Sequence, residues 1–226
     1  MTPVCVAFRE GGSMTRSIKR RAALGIRVHS GWGALVAVSH DNGAIEILER
    51  RRVSITATTD GGASQPYHAA RNLQLSEAET FIASAFAAAH TAAATGLREI
   101  IDVLQSQKYQ VAGCAILMAA GRTLPPLEKI LAAHPLLHTA EGVFFREAFA
   151  KACESQNIPV TKIKERDLEN AVKEKFGHSA ARMIWMVQSL GRTVGAPWTT
   201  DQKNATLAAL LLLSKRGSKK ELKKNQ

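Results

Sequence analysis

Two segments carry residue types whose spacing can support chemistry. The first is His134-Pro135-Leu136-Leu137-His138-Thr139-Ala140-Glu141, two histidines four apart with an acid three beyond the second. On an unbroken helix such residues share a face, as transition-metal ligands do. Pro135 directly after His134 disfavours helical geometry at that point. The simpler reading makes His134 and His138 capping or partly buried residues, and Glu141 a first-turn acid of a helix that begins at His138 or Thr139. The second segment is Thr199-Thr200-Asp201-Gln202-Lys203-Asn204. Asp201 can be a working carboxylate, or an ordinary first-turn residue of a helix in which Gln202 closes a capping box on Thr199. Gly121-Arg122 matches no phosphate loop, and neither a Walker sequence nor G-x-G-x-x-G occurs. Cys5, Cys114 and Cys153 are odd in number and lack ligand spacing, which suits a reducing cytoplasm.

Net charge is +11 over 226 residues, but its distribution is uneven. Residues 1–21 and 215–226 together hold nine of the excess positive charges, which leaves two for residues 22–214. The expected organisation is a basic, flexible extension over 1–21, one domain over 22–214 and a basic, disordered tail over 215–226. Such ends neutralise phosphates without sequence preference, and they are also what solvated termini look like. Residues 1–7 are apolar but are followed at once by Arg9, Glu10 and two glycines, unlike a signal peptide, and Met14 offers an alternative start. The apolar run over 207–213 is far below the roughly 20 residues a membrane span needs, so no membrane role is expected.

The elements that must position these residues follow from periodicity. Residues 23–54 alternate as three strands joined by Ser30-Gly31 and Asp41-Asn42-Gly43, and an Asn-Gly pair takes the positive φ of a tight hairpin at little cost. Residues 56–75 read as a loop. Ser76 with Glu79 reads as the capping box of an alanine-rich helix ending near Gln105. The apolar run over 111–120, with Cys114 in it, reads as a strand covered on both faces. A helical region, broken near Pro135, extends to about Gln156; a strand over 160–163 and helices over 167–176, 180–190 and 200–213 follow.

That order resembles the RNase H-like topology. Leu24-Gly25-Ile26, the turn at Ser30-Gly31 and Trp32-Gly33-Ala34-Leu35-Val36 resemble the opening of the RuvC-type crossover-junction resolvases. Val160-Thr161-Lys162-Ile163, Leu168, Ala171-Val172, Ala180-Ala181, Met186-Val187 and residues 201–213 are similar to that family's closing segment. The resemblance implies an α/β fold with a mixed sheet, three antiparallel strands followed by two further strands, flanked by helices. It also implies a site for two divalent ions held by acids from several elements. This chain departs from that pattern: Arg27 stands where the first acid belongs, and Gly113, Cys114 and Ala115 stand where a glutamate belongs. Asp201 alone remains, with Asn204 where a second acid is expected.

The same framework would bring Arg27, His29, Arg122 and Asp201 to one cleft. Guanidinium forks there suit a phosphate or carboxylate better than magnesium, although an Arg27–Asp201 pair that merely fills a defunct site is equally compatible. Trp32 and Trp198 can stack on bases or simply pack. The leading expectation is a catalytically altered domain that binds DNA, RNA or another anionic partner through Arg27, His29 and Arg122, with no cofactor and no metal site. The enzyme alternative is a divergent phosphodiester hydrolase with His138, Glu141 and Asp201 as catalytic groups, helped by His29 and using magnesium or manganese. The third class is a scaffold, for example a homodimer formed through the helix over 76–105.

Overall fold

The computed structural model describes residues 20–56, 64–119 and 123–213. Strands β1 (Arg20–His29), β2 (Trp32–Asp41) and β3 (Ala44–Ser54) form an antiparallel meander. Both turns rely on the left-handed region: Gly31 has φ +77°, Asn42 +49° and Gly43 +79°, values that Gly and Asn reach most cheaply. The sheet begins at Arg20, so Arg20 and Arg21 belong to β1 and not to a flexible extension. Arg20 lies over the ring of Tyr109. The remaining residues of the two expected basic ends, 1–19 and 215–226, lie outside the described residues.

Helix α1 (Pro66–Ala70) stands inside the segment expected to be a loop, and α2 (Leu75–Ser106) follows. The cap of α2 is Gln74 with Glu77, whose carboxylate accepts from the Gln74 backbone N–H, and not the expected Ser76–Glu79 pair. After α2 come β4 (Tyr109–Met118), α3 (Leu127–Ala132), α4 (His134–Ser155) and β5 (Val160–Lys164). A 3-10 turn (Glu165–Asp167) leads into α5 (Leu168–Phe176). Helices α6 (Ala180–Ser189), α7 (Gly191–Val194) and α8 (Thr200–Leu213) close the chain. The break near Pro135 falls one residue before His134, because Pro135 occupies the first turn of α4, where a missing N–H costs nothing. Glu141 therefore sits two turns into α4 and is no first-turn acid.

The strand order is β3-β2-β1-β4-β5, with β4 and β5 parallel to β1. Alternation along β1 decides the layers. Leu24, Ile26 and Val28 join Leu97, Ile100, Phe145 and Phe149 on the face covered by α2 and α4. Ala23 joins Val36, Val38, Leu117, Ala205, Ala208 and Ala209 on the face covered by α5, α6 and α8. Gly25 allows α8 its close approach, since a Cβ there would lie 1.9 Å from the Ala205 carbonyl oxygen. By length and composition α2 could cross a membrane, but its buried Ala89, Ala93, Leu97, Ile100 and Leu104 belong to the packed core of this domain.

Candidate functional site

Parallel strands β1, β4 and β5 end side by side, and the start of α8 lies against the end of β1, the place where open α/β sheets offer a crevice. Arg27 and His29 project from β1 on the α8 face. Arg27 Nε donates to Glu165 Oε1 at 2.8 Å, and its Nη1 lies 2.9 Å from Asp201 Oδ1. Asn204 Nδ2 donates to the same Glu165 oxygen at 3.3 Å. His29 Nε2 is 2.8 Å from both Asp201 Oδ2 and Arg27 Nη1. One ring nitrogen cannot donate and accept through the same position, so only one of those contacts is a hydrogen bond at a time. When Nε2 carries the proton it donates to Asp201, and Arg27 keeps its own pairing with the other Asp201 oxygen.

Register extends this cluster across the sheet. His29 pairs with Trp32, and Arg27 pairs with Ala34, itself opposite Arg52. The His29 and Trp32 rings stack at 4.1 Å and 6°, and the Arg52 guanidinium lies 3.8 Å from the Trp32 ring centre. From α4, Arg146 reaches the end of β4, where its Nε donates to the Leu117 carbonyl at 3.3 Å. Burial lowers the Arg146 pKa, an effect that Glu165 opposes and Arg27 reinforces. The hydrogen bond to Glu165 raises that of Arg27, against the cost of burial. Two guanidiniums thus face two carboxylates, and with His29 neutral the formal charges cancel.

A pair of divalent cations needs the opposite balance, several carboxylates with oxygens to spare. Here both Asp201 oxygens and one Glu165 oxygen are engaged by protein groups, and a fixed cation already bridges the two acids. The residues present do not fit magnesium or manganese.

The remaining sequence candidates separate. Arg122 lies outside the described residues. His138 and Glu141 sit on α4, on the other side of the sheet from Asp201 and His29, and among the described residues no hydrogen bond or ion pair joins the two groups. The acid–base site expected from His29, His138, Glu141 and Asp201 does not form. Glu141 instead accepts from the Nδ1 and backbone N–H of His68 at 2.9 and 3.2 Å. Asp201 keeps its capping context as well, since Thr199 and Gln202 exchange the two hydrogen bonds of a capping box. Trp198 is anchored by donating to the Val187 carbonyl, whereas Trp32 belongs to the site. Glu165, Arg146 and His68 were not among the residues singled out in the sequence.

No family model matches the chain, and no curated protein does. Among solved structures the chain is similar to Thermus thermophilus RuvC, at 14% identity over 84% of this chain and 91% of that one, with a TM-score of 0.45. It is also similar to T. thermophilus RuvC in complex with Holliday junction substrate, at 13% identity over the same shares and a TM-score of 0.46. The strand order and directions are those of the expected mixed α/β sheet, three antiparallel strands followed by two parallel ones, and the side chains at its crevice differ in charge from a two-metal centre.

Proposed function

We propose that this RNase H-like domain binds nucleic acid without cutting it. The observation that carries the reading is the Arg27 guanidinium bridging Glu165 and Asp201 at the ends of β1, β5 and the start of α8. A guanidinium held there occupies oxygens of both acids and, with Arg146 close by, balances their charge, which leaves no vacant ligand set to position and activate an attacking water. Binding is supported by the excess positive charge of residues 1–21 and 215–226, nine of the net +11, and by the pairing of a cation with an aromatic ring in Arg52 and Trp32, next to the crevice. With His29 and Arg52 both lying against Trp32, the ring holds a cation beside the crevice, which suits a phosphate backbone.

The test is binding of the full chain to labelled duplex, branched and single-stranded DNA and RNA at two salt concentrations, with magnesium or manganese present and cleavage scored in the same tubes. Expected are a log–log loss of affinity with salt, no cleavage, and weaker binding after Arg52→Ser or Trp32→Ala. Affinity that ignores both salt and these substitutions would sink the reading.

A further inference from the structure

On the far side of the sheet from Asp201, three imidazoles converge. Because α4 starts at His134, the four-residue spacing puts His134 and His138 one turn apart on one face, with their Nε2 atoms 3.1 Å apart. His68, from α1, closes the group. Its ring centre lies 5.2 Å from that of His134 and 4.7 Å from that of His138. One potential ligand atom from each of the three lies within 4.8 Å of the others.

Packing does not account for this arrangement. His134 and His138 are exposed, so their rings gain little by burial, and among the described residues neither has an acidic partner. Two neutral imidazole nitrogens at hydrogen-bond distance share at most one proton. Behind the exposed pair, however, the site is built. Glu141, only 2% exposed, is a buried carboxylate whose hydrogen bonds go to the Nδ1 and backbone N–H of His68. A carboxylate on one ring nitrogen fixes the tautomer and leaves the other nitrogen as the ligand atom, the usual support for a histidine ligand.

The distances suit a first-row ion. At a Zn–N length of about 2.05 Å, tetrahedral ligands stand about 3.3 Å apart, close to the 3.1 Å between His134 and His138. Bringing His68 to the same separation takes a movement of the order of an ångström, within the torsional freedom of a partly buried ring. Three neutral imidazoles with no carboxylate ligand select zinc, nickel or copper over magnesium or calcium. We propose that His68, His134 and His138 form a transition-metal site, best matched to Zn²⁺, with Glu141 orienting His68 and a fourth position open to water or an anion. An ion there also ties the five-residue α1 to the start of α4.

The experiment uses the tag-free, metal-stripped full chain. Zn²⁺ is titrated in competition with a chromophoric chelator, and Co²⁺ is used to read coordination from its visible absorption. Expected are one equivalent of tight binding and a four-coordinate cobalt spectrum. His138→Ala should weaken zinc by at least about 100-fold and leave metal-free unfolding unchanged, since the side chain is exposed. Glu141→Gln should weaken it by about 10- to 100-fold, the range for a group that orients a ligand. Failure of the wild-type chain to bind zinc stoichiometrically would overturn the proposal. So would binding that survives the paired substitution His134→Ala and His138→Ala, because the ion would then sit elsewhere.

Discussion

Replacing Arg27 by Met keeps the aliphatic stem of the side chain and removes both of its carboxylate contacts. Charge-assisted hydrogen bonds contribute about 1.5–3 kcal/mol each when shielded from water. Glu165 and Asp201 keep 35% and 24% side-chain exposure, so screening reduces the two contacts together to about 2–3 kcal/mol. Asn204 still holds Glu165 and His29 still holds Asp201, which prevents a larger loss. For a domain of this size that corresponds to a fall in melting temperature of about 5–10 °C. Arg27→Lys should recover less than half of it, because a single ammonium cannot present the Nε and Nη1 donors in two directions. In a double-mutant cycle with Asp201→Asn, the combined loss should fall short of the sum by about 1 kcal/mol. Urea unfolding followed by circular dichroism measures all five chains. An Arg27→Met protein within about 0.5 kcal/mol of wild type, or a cycle that adds up, would refute the claim that this guanidinium holds the crevice together.

Gly25→Ala should cost at least about 3 kcal/mol, because its Cβ would meet the Ala205 carbonyl at 1.9 Å and α8 would have to withdraw. Gly43→Ala, with open space around it and φ +79°, should cost only about 1 kcal/mol, and equal losses in urea unfolding would contradict the close β1–α8 packing. Both tyrosines of the chain have raised pKa values, chiefly through burial, reinforced by Glu141 at Tyr67 and by a hydrogen bond to Glu46 at Tyr109. A folded-state pKa above the unfolded value stabilises fully below the unfolded value, and that contribution is lost as pH rises through the folded one. Absorbance at 295 nm should therefore place half-ionisation of both phenols above the free tyrosine value, while ionisation near the free value in the folded chain would count against this packing. Arg50 donates to the carbonyls of Val194, Gly195 and Pro197, so Arg50→Ala should speed protease cleavage within 191–199 with little change in global stability; an unchanged cleavage map would remove that role.

The strands and closing helix were legible because their periodicity and turn chemistry agree. Asn42-Gly43 placed the second hairpin, and the Thr199–Gln202 box placed the start of α8. The meeting of Arg27, His29 and Asp201 followed once the sheet order was known. Glu165 was not legible, because it lies in a single turn after β5 with no period to set its direction. Arg146 carries no sequence signal either; only its position on α4 and the carbonyl at the end of β4 give it a role. His68 was hidden because α1, at five residues, is too short to show a helical repeat among glycine, serine and proline. Pro135 misled in the opposite direction. The same residue that interrupts a helix also starts one, and only the structure shows that it starts α4 and so aligns His134 with His138.

Arg27 engages oxygens of both Glu165 and Asp201 that a divalent cation would need as ligands. Manganese binding to the full chain, followed by electron paramagnetic resonance and paired with cleavage of a branched DNA, tests this most directly, with Glu165→Gln and Asp201→Asn chains as references. The account predicts no manganese-dependent cleavage and no bound manganese that is lost in either reference chain. Cleavage by wild type that disappears in Asp201→Asn would contradict it and establish a metal-dependent nuclease.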